Sequence, residues 1–332
     1  MEKTKQMKKY FILLLLTLNS LLFAKTISFQ DENFIGTISY NDIAKPGDAI
    51  FAKLNLKFIS KQSKKQGSSD THAVMQLFQG EKEIETSRFY FINSKNKRTT
   101  TPELLCGIPL STWLDAEKEY SLKIFIDIGT SIKKEFSLPF TLEHYDFIAE
   151  TIPLNQKNSD IKQDMSVERL AQIEKLNTIL KTIMPQDVYS LKPFIKPMES
   201  NRLTSFFGDR RTFTYTDGKS STSLHYGNDY GIPEGTPIVS CAEGRVVMAE
   251  NRISTGWSIV IEHLPGLYSL YYHLKELDVK EGQMVKQGEL LGKSGATGLA
   301  TGPHLHWEIR LNMAAVRPEF FMQDFAHQNN NN

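Results

Sequence analysis

Cysteine is scarce in this sequence, neither charge is in excess, and the apolar run near its start is too short to span a membrane. Each shortage excludes a class of protein. Cys106 and Cys241 are the only 2 cysteines among 332 residues. Two are too few for a disulfide framework, and they fall in separate predicted domains, so buried or unpaired thiols are expected rather than a bridge. Lys plus Arg number 39 against 38 Asp plus Glu, which leaves no basic surplus for a nucleic-acid partner. The apolar run at residues 11–23 is short of the roughly 20 residues that a spanning helix needs. Preceded by Lys3, Lys5, Lys8 and Lys9, it reads as an export signal over residues 1–24, with Ala24 last before cleavage. Leu22 is larger than that cleavage position prefers, which leaves an uncleaved anchor as the alternative. No cysteine follows the run, so a lipoprotein anchor is not expected. The reading is an exported protein of the periplasm or cell envelope, with no stable membrane span once the signal is removed.

Two catalytic signatures are also missing. The helical His-Glu-x-x-His metal motif does not occur. The segment Ser294-Gly295-Ala296-Thr297-Gly298-Leu299-Ala300-Thr301-Gly302 lacks the Lys and the following helix of a phosphate-binding loop. It reads instead as a flexible wall of a groove that accepts extended peptide.

What the chain does contain is a histidine cluster. His304 and His306 alternate as a strand begins, so they share one face, about 6.6 Å apart at roughly 3.3 Å per residue. One can bind a metal while the other reaches a water beside it, and alternation alone does not choose between them. Upstream, His225 and Asp229 stand four apart around Gly227. Two imidazoles and a carboxylate are a donor set for catalytic zinc with a position left open, and leave a formal charge of about +1 at the ion. With no Glu base at hand, the spare imidazole of the pair is the candidate, and His273, in Tyr271-Tyr272-His273-Leu274, is another. His263, before the Pro265-Gly266 turn, reads as a structural histidine. His72 and His144 are isolated and carry no expected chemistry.

These blocks resemble the M23 metallopeptidases, the lysostaphin/LytM-type peptidoglycan endopeptidases. The likeness rests on Ser205-Phe206-Phe207-Gly208-Asp209-Arg210-Arg211, His225 to Asp229, Tyr272-His273-Leu274 and Gly302-Pro303-His304-Leu305-His306-Trp307-Glu308. Glu281-Gly282-Gln283-Met284-Val285 and Gly288-Glu289-Leu290-Leu291-Gly292 follow the family's order between the last two. It covers about residues 195–320. The resemblance implies that His225, Asp229 and His306 bind Zn2+, and that His304 and His273 act on the water and the transition state, in roles that could be exchanged. It also implies that peptidoglycan peptides are the substrate. All five residues are present, which argues against the alternative of a non-catalytic wall-binding or regulatory protein that activates another hydrolase. Whether regulatory protein partners gate access is left open. A lipoyl-type sandwich would explain the Gly-punctuated hairpins but not the histidines.

The expected fold is mainly β. Residues 26–146 alternate apolar and polar positions in short runs, as in Ala49-Ile50-Phe51-Ala52-Lys53-Leu54-Asn55-Leu56, and predict a β-sandwich accessory domain with its own core. Within it, residues 60–70 read as a mobile loop. Residues 147–192 read as a linker with a helix at about 166–184, capped by Ser166, with Leu170, Ile173, Leu176, Leu180 and Ile183 as its apolar stripe. Residues 193–327 form the antiparallel β-sheet peptidase domain, and residues 328–332 a disordered tail. The first domain is expected to target the enzyme to the wall or to shield its groove, with shielding favoured because no basic face or wall-binding repeat is evident.

Overall fold

The computed structural model describes residues 25–30, 32–59, 71–93, 100–128 and 132–328. The export signal, the loop at 60–70 and residues 329–332 lie outside them. The chain is mostly β-strand. In its first half, one sheet has the strand order Lys25–Gln30, Phe34–Tyr40, Ala49–Phe58, Glu103–Pro109, Tyr90–Phe91. A second sheet runs Ile132–Leu138, Tyr120–Ile128, Thr71–Gln79, Lys82–Arg88. The period-two pattern turns Leu122, Ile124 and Ile126 inward, where they meet Ile38, Leu54, Met75 and Ile108 in one core shared by both sheets.

The strand Ala49–Phe58 departs from simple alternation, because it is buried on both faces. Ile50, Ala52 and Leu54 face the core of the first half, whereas Ala49 and Phe51 join the core of the second. Phe51 lies 5.0–6.2 Å from the rings of Phe320, Phe321 and Phe325. Asp48 pairs with Arg317 at 3.0 Å. Arg210 donates to the Thr112 carbonyl at 2.7 Å while its guanidinium lies 3.7 Å from the Trp113 ring. The first half thus has a core of its own, and one face of its sheet is also a wall of the second core. A pattern reading assumes that one face meets water, and here both are covered.

The second half is built on a ten-stranded sheet. Its main path runs Leu203–Ser205, Gly227–Tyr230, Leu305–Leu311, Leu267–Leu277, Gly256–Leu264, Gly244–Arg252, Met284–Val285, all antiparallel. Along Leu305–Leu311, Leu305, Trp307 and Ile309 enter the core, and His306 and Glu308 take the opposite face. Cys106 and Cys241 are buried and unpaired.

Residues 147–163, read above as linker, are structured. Ala149–Pro153 pairs in parallel with Arg210–Thr214, Ile152 opposite Phe213. Asn155 Oδ1 caps the helix Gln156–Gln163 by accepting from Asn158 N at 2.9 Å. Ser166 Oγ caps the helix Val167–Lys181 in the same way, from Arg169 N at 3.2 Å. This second helix buries Leu180 against Met248, Val260 and Tyr272. It stops at Thr182, whose backbone is extended, so Ile183 lies past its end. Among the described residues no helix is long and apolar enough to cross a membrane.

Candidate metal centre

Strand register brings the three candidate ligands together. Asp229 is the direct cross-strand partner of His306, and neighbours opposite one another in a ladder have side chains on the same face. Asp229 sits within the strand Gly227–Tyr230. Gly227 has a steric reason to be glycine. A Cβ there would lie 2.4 Å from the Trp307 carbonyl oxygen and 2.9 Å from His306 Nε2, so only glycine lets the two strands close around the site.

His225 precedes this strand, held by backbone bonds to Asp209 O and from Gly208 N. Its Nδ1–H donates to the Phe206 carbonyl at 2.7 Å, because a carbonyl can only accept. The Nε2 lone pair therefore faces inward, 3.1 Å from both His306 Nδ1 and Asp229 Oδ1. Asp229 Oδ1 is 2.8 Å from His306 Nδ1. On the far side of that ring, His306 Nε2 meets Glu308 Oε2 at 3.3 Å, and Arg310 binds the other oxygen of Glu308. Tyr272 stacks on the same ring, 5.4 Å away and 8° from parallel.

The electrostatics describe a pocket made for positive charge. Burial disfavours the charged form of His306, yet the hydrogen bonds to Asp229 and Glu308 outweigh it and raise its pKa to about 9. Burial also opposes ionisation of Asp229, but His225 and His306 hold its carboxyl well below the usual range. Burial lowers the pKa of His225, with Asp229 pulling the other way. A divalent ion can be held there, since one ligand atom from each of His225, Asp229 and His306 lies within 4.8 Å of the others. Two imidazole nitrogens and one carboxylate oxygen, with Glu308 orienting His306 from behind, fit a metal of the zinc type.

His304 and His273 border this trio. His304 Nδ1–H donates to Gly302 O at 2.8 Å, and its Nε2 is 3.8 Å from Asp229 Oδ1. His273 Nδ1–H donates to Thr297 O at 2.8 Å. The two rings are 4.6 Å apart. Burial, followed by His304 and His306, pushes the pKa of His273 down to about 3, so it is neutral near pH 7. Its position depends on a bulge. Tyr271 opposes Ile259 and Leu274 opposes Trp257, so Tyr272 and His273 together face a single residue. The extra residue puts both side chains near His306 instead of on opposite faces, and His273 adopts φ 63° to do so.

The Gly-rich segment, read above as a flexible wall of a groove, also supports the site. Its Thr297 and Gly302 carbonyls hold the two rings, and Thr297 Oγ1 donates to Leu274 O at 2.6 Å. His263 joins no site: Nδ1 is bound to Glu243 O, Nε2 faces Ser269 Oγ, and burial lowers its pKa to about 4. His144 pairs with Asp146 in solvent.

Sequence reasoning assigned no role to Glu308, Arg211 or Glu150. Glu308 could have been found, because it is two residues beyond His306 on one strand and so shares its face. The other two come from outside that strand.

Residues 223–318 match the profile described as Peptidase family M23. An uncharacterized metalloprotease of Buchnera aphidicola is 38% identical over 38% of this chain and 32% of its own length. Peptidoglycan DD-endopeptidase ShyA of Vibrio cholerae is 40% identical over 34% of this chain and 26% of its own. The chain thus spans about a third or less of the curated relatives it matches. A crystal structure of a peptidase M23 protein from Pseudomonas aeruginosa aligns with a TM-score of 0.50 and 22% identity. It covers 78% of this chain and 95% of that one, a likeness of fold. Residues 223–318 of this chain match a peptidase family M23 domain.

Proposed function

We propose that this protein is a zinc-dependent endopeptidase that hydrolyses peptide cross-links of peptidoglycan outside the cytoplasm, in cell-wall remodelling. The observation that carries the reading is the convergence of His225 Nε2, Asp229 Oδ1 and His306 Nδ1 on one point, with two further imidazoles beside it. The names of relatives such as ShyA supply the substrate class. Bound there, Zn2+ would polarise the scissile carbonyl as a Lewis acid. Everything else falls to side chains. His304 and His273 each donate Nδ1–H to a carbonyl, which leaves Nε2 of the neutral ring as an acceptor. Either ring can therefore take the proton of an attacking water. Only the ring that has taken it can donate, sharing that proton in a hydrogen bond to the tetrahedral oxygen before passing it to the leaving amine. His304 is the better base, because the burial that lowers His273 so far disfavours its imidazolium.

The segment joining the two halves supports shielding of the groove. The helix Gln156–Gln163 bridges two loops beside the site. Asn158 Nδ2 donates to Ala300 O at 3.3 Å, and Thr216 Oγ1 donates to Gln156 Oε1 at 2.9 Å. Ala300 precedes the Gly302 that holds His304, and Thr216 follows the strand that carries Arg211. His225, Asp229, His273 and His306 are each no more than 8% exposed, which fits a shielded groove.

The test is digestion of purified sacculi by the full chain, with mass analysis of the products and metal analysis of the protein. Cleaved cross-links and about one zinc per chain are the expected result. Intact cross-links with zinc bound would favour the non-catalytic, hydrolase-activating reading.

A further inference from the structure

We infer that Arg211, anchored by Glu150, is a positioning residue that makes Asp229 present one oxygen, not two, to the cation. This rests on the metal-dependent reading proposed above. The two carboxylate oxygens of Asp229 have different surroundings. Oδ1 faces His306 Nδ1 at 2.8 Å and His225 Nε2 at 3.1 Å. Oδ2 accepts from Arg211 Nη2 at 3.0 Å. The guanidinium is itself oriented, because its Nε donates to Glu150 Oε1 at 2.9 Å. Glu150 and Arg211 are opposite one another in the parallel ladder of Ala149–Pro153 and Arg210–Thr214. Their side chains thus meet on one face, where Arg211 can reach across to Asp229.

The terminal torsion of an aspartate is broad and roughly two-fold, so nothing within the residue stops both oxygens from turning to a cation. A second oxygen would add a ligand and close the position that substrate or water needs. Arg211 occupies Oδ2 with a charge-assisted bond. The Arg211 and Asp229 side chains are only 13% and 12% exposed, so water screens that bond little. Glu150, at 35% exposure, balances the arginine charge that would otherwise repel a divalent ion. The arrangement parallels the Glu308–Arg310 pair behind His306. Neither Arg211 nor Glu150 lies within the residues matched to the peptidase family, 223–318. Glu150, from the joining segment, thus supports the metal centre from outside the matched residues.

The test uses the full chain, stripped of metal and titrated with Co2+ alone. Four-coordinate Co2+ absorbs strongly in the visible and five- or six-coordinate Co2+ weakly, so the band reports whether Asp229 gives one oxygen or two. Wild type should show the strong band. Arg211→Gln should show a weak one and bind Co2+ about 10–100-fold less tightly, the usual effect of losing such a partner. Arg211→Lys, a point charge that cannot hold Oδ2 and Glu150 in one fork, should fall between. Glu150→Gln keeps an acceptor for Nε and should keep the strong band with an affinity loss of about two- to fivefold. It decides the matter if Arg211→Gln does not fold by circular dichroism. Wild-type affinity in Glu150→Gln, or a wild-type band in folded Arg211→Gln, would overturn the positioning role. A wild type that binds Co2+ with the strong band but cleaves no cross-linked peptide would leave this role standing and remove only the substrate. A wild type that takes up no Co2+ would remove both.

Discussion

Both halves of the molecule are β-sheet, yet they bury opposite kinds of residue. Between the two sheets of the first half the core is Ile38, Leu54, Met75, Leu77, Ile124 and Ile126. Among its described residues the buried polar side chains are Ser39, Lys53, Thr71 and Thr112. The second half buries His225, Asp229, Glu262, His273, His306 and Glu308. Removing an ion from water costs several kcal/mol even after relaxation, and only close pairing offsets it. A sheet that needed only to be stable would be filled as the first half is. The second half places much of that cost at one spot, where Asp229, His306, Glu308 and Arg310 satisfy each other in a row, while Glu262 pairs apart from it with Arg245. The contrast separates a supporting half from a chemical one.

The sharpest way to break the contrast is to empty the chemical half. His306→Ala or Asp229→Ala should abolish zinc binding and cleavage together, read by metal analysis and by mass analysis of digested sacculi; full zinc content in both would make the assignment wrong. His304→Ala should keep the zinc and lose about 10²–10⁴-fold in rate, the usual contribution of a general base. Loss of the metal in this variant, with retention in His306→Ala, would exchange the two roles.

Two smaller effects sharpen the comparison from the supporting side. Phe51→Ala should cost about 3–5 kcal/mol, the usual range for a buried Phe, and lower one thermal transition seen by probes in both halves, since Phe51 packs on Phe320, Phe321 and Phe325. Two separate transitions, with only one displaced, would show that the halves fold independently. Buried His263 supplies a pH effect remote from the metal. Its pKa is about 4 when folded, against an ordinary value of 6.5. The unfolded chain therefore takes up the proton first as pH falls. The stability is complete above about pH 6.5 and is lost as pH falls towards 4, about 3 kcal/mol in all at 1.36 kcal/mol per pKa unit. Denaturant curves at pH 7 and pH 5 for wild type and His263→Gln should show a steeper loss in the wild type. Equal losses would mean that His263 is protonated in the fold.

Much of the candidate site is legible from residue types and spacing. His225 and Asp229, four apart, and His304 and His306, two apart, stand out because few structural roles need that many imidazoles and carboxylates near glycines. The support around them is less legible. Glu308 follows His306 by the strand period, but Arg211 reaches Asp229 across 18 residues and is reached by Glu150 across 61. No local pattern links such positions. Similarly, the continuous apolar run Ala49-Ile50-Phe51-Ala52 signals a strand covered on both faces, but only the docking of Phe320, Phe321 and Phe325 shows what covers the second.

By itself the sequence determined, for a regular strand, which residues share a side, because that alternation follows from the geometry of one extended chain. It set His304 and His306 on one face before any partner strand was known. Tertiary structure decided what those faces meet. Register set Asp229 against His306, a bulge turned Tyr272 and His273 to the same side, and a parallel strand from the joining segment brought Glu150 to Arg211. Each of these depends on hydrogen bonds between strands distant in sequence, and the energy that selects one register over its neighbours comes from the whole packed sheet.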